Sequence, residues 1–194
     1  MFNPIILFDN SISSPTYSKV YIINKNIKYN MSFTKDELEG IVKSSLKKLR
    51  RLDKKLLEIN VNERTITHKL AEYLQQNFLE FNVDCEYNRF EHNEIDDLVK
   101  KLDLPRNNVS WDDTEAKTVF PDIIVHNRGT QEKNLLVIEV KKFPCKISEN
   151  VDRNKLIAFT KDPYNYKYGL FLKINLINKK DSFDWYSGGI RIDN

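Results

Sequence analysis

Two apolar runs interrupted by charge constrain this chain more than any other feature: Phe120-Pro121-Asp122-Ile123-Ile124-Val125-His126 and, after a polar break, Leu135-Leu136-Val137-Ile138-Glu139-Val140-Lys141-Lys142. Both have the length and β-branched content of strands, and the segment 127–134 between them has the composition of a hairpin loop. Side chains alternate faces along a strand, so Glu139 and Lys141 point the same way while Ile138 and Val140 enter the opposite layer. The hairpin brings Asp122 alongside the second strand. Apart from these positions the runs are apolar on both faces, the pattern of a buried central sheet, where two acids and a lysine are costly unless they have a use.

Two carboxylates converging on one point suit a hard divalent cation such as Mg2+, which takes oxygen ligands and keeps several waters plus a substrate phosphate. A lysine two residues beyond the second acid can orient or deprotonate a metal-bound water, or offset charge on a phosphorane-like transition state. The implied reaction is metal-assisted phosphodiester hydrolysis. Pro121-Asp122 followed 17 positions later by Glu139-Val140-Lys141 resembles the paired signature of the PD-(D/E)XK nuclease superfamily, which includes type II restriction enzymes and archaeal Holliday-junction resolvases. The resemblance covers about residues 60–178 and implies an α/β, restriction-endonuclease-like core: a helix, an antiparallel β-meander, a second helix and a further strand, with helices flanking a central mixed sheet. It also implies that Asp122, Glu139 and the Val140 carbonyl are metal ligands, that Glu63 on the upstream helix is a ligand reached directly or through water, and that Lys141 is the catalytic lysine. Mg2+ is the implied cofactor, with Mn2+ able to substitute, and DNA is the implied partner, with RNA also open. A surface ion pair on a half-exposed hairpin is the plainer alternative for the strand charges.

With 194 residues, 40% hydrophobic and 11% aromatic, the chain has enough apolar material for one domain with a core and one appended element. The expected division is an N-terminal extension over 1–59, a β-arm plus a long basic amphipathic helix, and a nuclease-like domain over 60–194. The net charge of +3, from 31 basic and 28 acidic residues, permits a polyanionic partner without demanding one. Two cysteines, Cys85 and Cys145, lack zinc spacing and read as reduced, which fits a cytoplasmic protein. No stretch approaches the roughly 20 apolar residues of a membrane span, and the N-terminus lacks the basic start and cleavage site of a signal peptide. One such domain leaves little surface for reading a long site, which favours a homodimer or a protein partner.

Along the rest of the chain, residues 19–31 suggest a small hairpin. Thr34-Lys35-Asp36-Glu37 has the form of a capping box opening a helix over about Lys35–Glu58, with a 4-3 stripe of Leu38, Val42, Ser45, Leu49, Leu52, Leu56 and Ile59. Its other face carries Lys47, Lys48, Arg50, Arg51, Lys54 and Lys55, a solvated face or a phosphate-tracking one. Asn62 can cap the next helix, which puts Glu63 in a first turn where the dipole favours an anion and so offers a purely structural role for it. His68 reads as a packing or surface residue. Phe81–Arg89 alternates as the first strand of the meander, with Glu86 in reserve as a ligand; a short helix over Glu94–Leu102 and an irregular stretch to Lys117 follow. The crossover helix opens at Ser148 and runs to Phe159, and a strand spans Tyr166–Leu176. Arg89, Lys142 and Lys155 are the candidates for nucleic-acid contact, Lys155 being equally suited to face water. Trp185 and Gly188-Gly189 belong to a tail that the pattern does not place. Two rivals keep the same residues without the chemistry: a catalytically silent nucleic-acid-binding or assembly module, and an oligomerisation protein centred on residues 35–59.

Overall fold

The computed structural model describes residues 33–87, 120–130, 133–144, 149–178 and 180–192. Helices α1 (Lys35–Leu52), α2 (Lys54–Glu58) and α3 (Glu63–Gln75) precede strands β1 (Asn82–Cys85), β2 (Ile123–His126) and β3 (Leu136–Phe143); then come helix α4 (Asn150–Phe159) and strands β4 (Tyr168–Asn175), β5 (Ser182–Ser187) and β6 (Ile190–Ile192). The strands form one sheet in the order β1-β2-β3-β4-β5-β6. All neighbours are antiparallel except β3 and β4, which run parallel because α4 carries the chain back across the sheet. The result is a mixed α/β architecture with helices on both sheet faces. The predicted hairpin at 19–31, the helix at 94–102, Arg89, Cys145 and Ser148 lie outside the described residues.

The helix starts follow the sequence signals. Glu37 N donates to Thr34 Oγ1 at 3.3 Å while Thr34 N donates to Glu37 Oε2 at 3.0 Å, a complete capping box. Asn62 Oδ1 accepts from Thr65 N at 2.8 Å and caps α3. The end of the first helix differs from expectation. The chain breaks at Asp53, which has non-helical dihedrals (φ −113°, ψ 28°) and whose carboxylate accepts from the Tyr73 hydroxyl on α3. Leu38, Val42, Ser45, Leu46 and Leu49 are therefore buried, whereas Leu52 and Ile59 are 60% and 57% exposed and the stripe stops at Leu49. Arg50 likewise leaves the expected solvated face to reach Asp181 at 2.5 Å. Helix α1, read from sequence as part of an extension, packs against α3 within the compact unit Thr34–Asn194.

Strand alternation sorts the core into two layers. On one face Ile124, Val137, Phe171 and Tyr186 pack with Leu156 and Phe159 of α4 and with Tyr164 and Tyr166. On the other, Trp185 Nε1 donates to Glu39 of α1 at 2.9 Å, and the Lys43 ammonium lies 5.4 Å from the Phe183 ring centroid. The unplaced tail is the β5–β6 hairpin, whose turn residues Gly188 and Gly189 both have positive φ (58° and 77°), as a two-residue turn matched to sheet twist requires. Truncating Leu156, fully buried between α4 and the sheet, to alanine should cost about 2–5 kcal/mol in urea denaturation. Leu79→Ala, at a site 83% exposed, should leave the midpoint nearly unchanged.

Candidate active site

The predicted hairpin forms, and its register sets the site. Ile123 pairs with Ile138 and Ile124 with Val137, so the same register carried one step further places Asp122 opposite Glu139. Asp122 Oδ2 accepts the Val140 N–H at 2.7 Å, taking the place of a ladder carbonyl at the mouth of the strand pair. Glu139, Val137 and Lys141 share the face that α4 covers, and there the first turns of α4 supply a complementary pair. Lys155 Nζ lies 2.6 Å from Glu139 Oε2, and Lys141 Nζ lies 3.0 Å from Asp152 Oδ2. Lys155 also donates to the Phe120 carbonyl at 3.3 Å and stands 3.7 Å from Asp152 Oδ1. Glu63 closes the group from α3: Oε2 accepts Lys142 N at 2.9 Å, and Oε1 lies 3.5 Å from Lys141 Nζ.

These contacts form a chain of alternating sign, Glu63–Lys141–Asp152–Lys155–Glu139, with Asp122 beside it. Four carboxylates face two ammoniums, which leaves a formal charge of −2 when all are ionised. Glu139 is almost wholly buried, and its Oε1 has no hydrogen-bond partner among the described residues. A buried carboxylate oxygen without a donor costs free energy comparable to a lost charged hydrogen bond.

The electrostatics follow from burial and this imbalance. Burial raises the Asp122 carboxyl to about 6, although Lys155 and the Val140 N–H pull it back. Burial lifts Glu139 well above the usual carboxylate range, against the pull of Lys155 and with help from Asp122 and Asp152. Burial works against the charge on Lys141, but Asp152 and Glu63 outweigh it and hold the ammonium above the ordinary lysine value. Lys155 is held above it in the same way by Glu139, Asp122 and Asp152. The Cys85 thiol, pushed up to about 11 by burial and neighbouring acids, stays protonated at neutral pH.

The structure thus brings together Asp122, Glu139, Val140, Lys141 and Glu63. Lys155 differs from expectation: it neither faces water nor points outward to a phosphate but is buried against Glu139, because the first turns of α4 lie flat on β3. Lys142 is also diverted, its ammonium held by Asn60 Oδ1 at 3.0 Å and by the Val61 carbonyl. Glu86 follows β1 at a positive φ of 45°, and its carboxylate pairs with Arg64 at 2.7 Å while its N–H donates to the Asp122 carbonyl at 3.4 Å. His68 is exposed and pairs with Glu72, as a surface histidine should. Asp152 was missed by the sequence reading. Its one signal is the Asp-x-x-Lys spacing on the crossover helix, which has the same acid-then-lysine order as Glu-x-Lys on the strand beneath and complements it because the helix runs in the opposite direction.

Among the described residues no three His, Cys, Asp or Glu side chains form a ready metal cage, since the two lysines stand between the acids. The donor set nonetheless fits a hard cation. Asp122 and Glu139 are adjacent oxygen donors, Glu139 Oε1 is unclaimed, and the cluster's surplus charge is that which a divalent ion neutralises. Asp122 also borders an open cleft of about 620 Å³, lined by Asn62, Arg64, His68, Lys69, Glu72 and Glu86 among others, which gives solvent a path to that carboxylate. Among the described residues no helix is long and apolar enough to cross a membrane. Comparison with protein-family models, curated proteins and solved structures finds no match for this chain.

Proposed function

We propose that this chain is a divalent-metal-dependent endonuclease acting on DNA, built on a restriction-endonuclease-like core. The observation that carries the proposal is the buried, net-negative cluster in which Glu139 Oε1 lacks a donor beside Asp122. The order of elements supports it: α3, the antiparallel β1–β2–β3, α4 and the parallel β4 follow the sequence of that family's core. Asp122, Glu139 and the Val140 carbonyl would hold Mg2+, or Mn2+ in its place, with Glu63 reached through water because both its oxygens already serve Lys141 and Lys142. The ion, when bound, supplies Lewis acidity to the phosphate and lowers the pKa of a coordinated water.

The remaining chemistry belongs to the protein. Lys141 keeps its proton, because Asp152 and Glu63 favour the charged form, so Nζ acts as a donor to charge developing on a phosphate oxygen and not as a base. Asp152 fixes where that ammonium points. The cleft beside Asp122 admits the phosphodiester, with Arg64, His68 and Lys69 on its wall.

A second reading, a binding or assembly module that retains the fold without the chemistry, draws on the ion-pair chain itself, which gives each lysine an acid without any metal. The deciding experiment is incubation of purified protein with plasmid, linear duplex, single-stranded and branched DNA, and with RNA, in Mg2+, Mn2+ or EDTA. Cleavage of DNA that needs the metal supports the hydrolase; binding without cleavage under every condition supports the module.

A further inference from the structure

Lys155 is the group in this cluster that the proposed chemistry does not use. A lysine 4% exposed is costly to bury, and it is retained here with three oxygen partners: Glu139 Oε2 at 2.6 Å, the Phe120 carbonyl at 3.3 Å and Asp152 Oδ1 at 3.7 Å. Its ammonium occupies Oε2 of the carboxylate that a cation would need, while Oε1 of that carboxylate has no partner among the described residues. Lys141 does not fill this role, because its ammonium is held by Asp152 at 3.0 Å and by Glu63 at 3.5 Å.

We propose that Lys155 is a resident counter-cation, which an arriving divalent ion displaces from Glu139 and which Asp152 receives. The inference rests on the metal-dependent reading above. Without the ion, Lys155 compensates the buried carboxylate and keeps the strand and helix joined. With the ion, Glu139 changes partner, and the ammonium closes the 3.7 Å gap to Asp152 by a small rotation of its flexible stem. The exchange makes metal affinity a difference between two electrostatic states, so Lys155 weakens binding and eases release of the ion.

Calcium titrations at pH 8.5, read by calorimetry, test this on the full chain. Lys155→Met should bind Ca2+ at least tenfold more tightly than the unsubstituted protein, although its metal-free form melts at a lower temperature. Equal or weaker binding by a folded Lys155→Met protein overturns the exchange, provided that the unsubstituted protein binds Ca2+ and Asp122→Ala does not. If the unsubstituted protein and both variants bind no Ca2+, the metal reading itself falls, and the exchange with it. Should Lys155→Met fail to fold, the unsubstituted protein labelled with 13C-lysine answers instead, with the Lys155 Cε signal assigned by its loss in Lys155→Arg. That signal should move with the calorimetric midpoint, and a stationary signal through saturation overturns the proposal.

Discussion

Replacing Lys141 by methionine should lower the Mg2+-dependent cleavage rate by about 10²–10³-fold, the usual cost of removing one charged donor from a developing oxyanion. The contacts specify which kinetic constant moves. Lys141 Nζ is held by Asp152 at 3.0 Å and by Glu63 at 3.5 Å before any substrate arrives, so its position is set in advance and its contribution grows with charge in the transition state. The loss should appear in kcat, with DNA affinity changed by less than about tenfold. Asp122→Ala should abolish cleavage and calcium-dependent stabilisation together, since that carboxylate is both a proposed ligand and the acceptor for Val140 N. Lys141→Met leaves Asp152 and Glu63 short of a counter-ion, so near-ultraviolet circular dichroism must show a native fold before the rates are compared. A folded Lys141→Met protein that cuts at the unsubstituted rate would remove this lysine from the chemistry.

The geometry of Asp122, Glu139 and Lys141 was legible because it follows from short-range rules. A period of two along a strand and a hairpin connection of about ten residues decide which side chains meet, and both rules act within 20 or so residues. The caps at Thr34 and Asn62 were legible for the same reason. What escaped depends on partners distant in sequence. The helix breaks at Asp53, whose carboxylate meets the Tyr73 hydroxyl, and nothing in the local heptad pattern announces a hydroxyl on the next helix. Asp152 and Lys155, three apart on α4, resemble an ordinary solvated pair until the parallel β3–β4 crossover lays that helix on Glu139 and Lys141. Glu86 alternates correctly with Asp84, but a left-handed backbone turns it out of the strand. The β5–β6 hairpin did carry a signal, since Gly188-Gly189 between apolar runs is a primed-turn dipeptide.

Lowering the pH from about 7.5 to about 5 should stabilise the metal-free protein, the reverse of ordinary acid denaturation. The sign follows from proton uptake. Asp122 in the folded chain titrates near 6, against 3.8 for the unperturbed group, so between those values the native state binds more protons than the unfolded one and stability falls as pH rises. Glu139 is displaced in the same direction by burial and adds to the same slope. Acids with depressed values, such as Asp84 beside Arg128 and His126, act with the opposite sign but only as pH drops below the ordinary aspartate range. At about 1.4 kcal/mol per pKa unit, the step from about pH 7.5 to about 5, which ends about one unit below the folded value, contributes about 1.4 kcal/mol through Asp122, or a rise of about 3–6 °C in Tm for a chain of this size. Thermal melts at constant ionic strength should show this rise, and Asp122→Asn, which cannot ionise, should flatten the slope and melt higher at pH 7.5. Calcium should raise Tm at pH 7.5, where the carboxylates are charged and short of counter-ions, and much less at pH 5, where protons already occupy them. A Tm that is flat or climbs from pH 5 to 7.5 would mean that the ion-pair chain already satisfies the cluster, and that no surplus charge waits there for a metal.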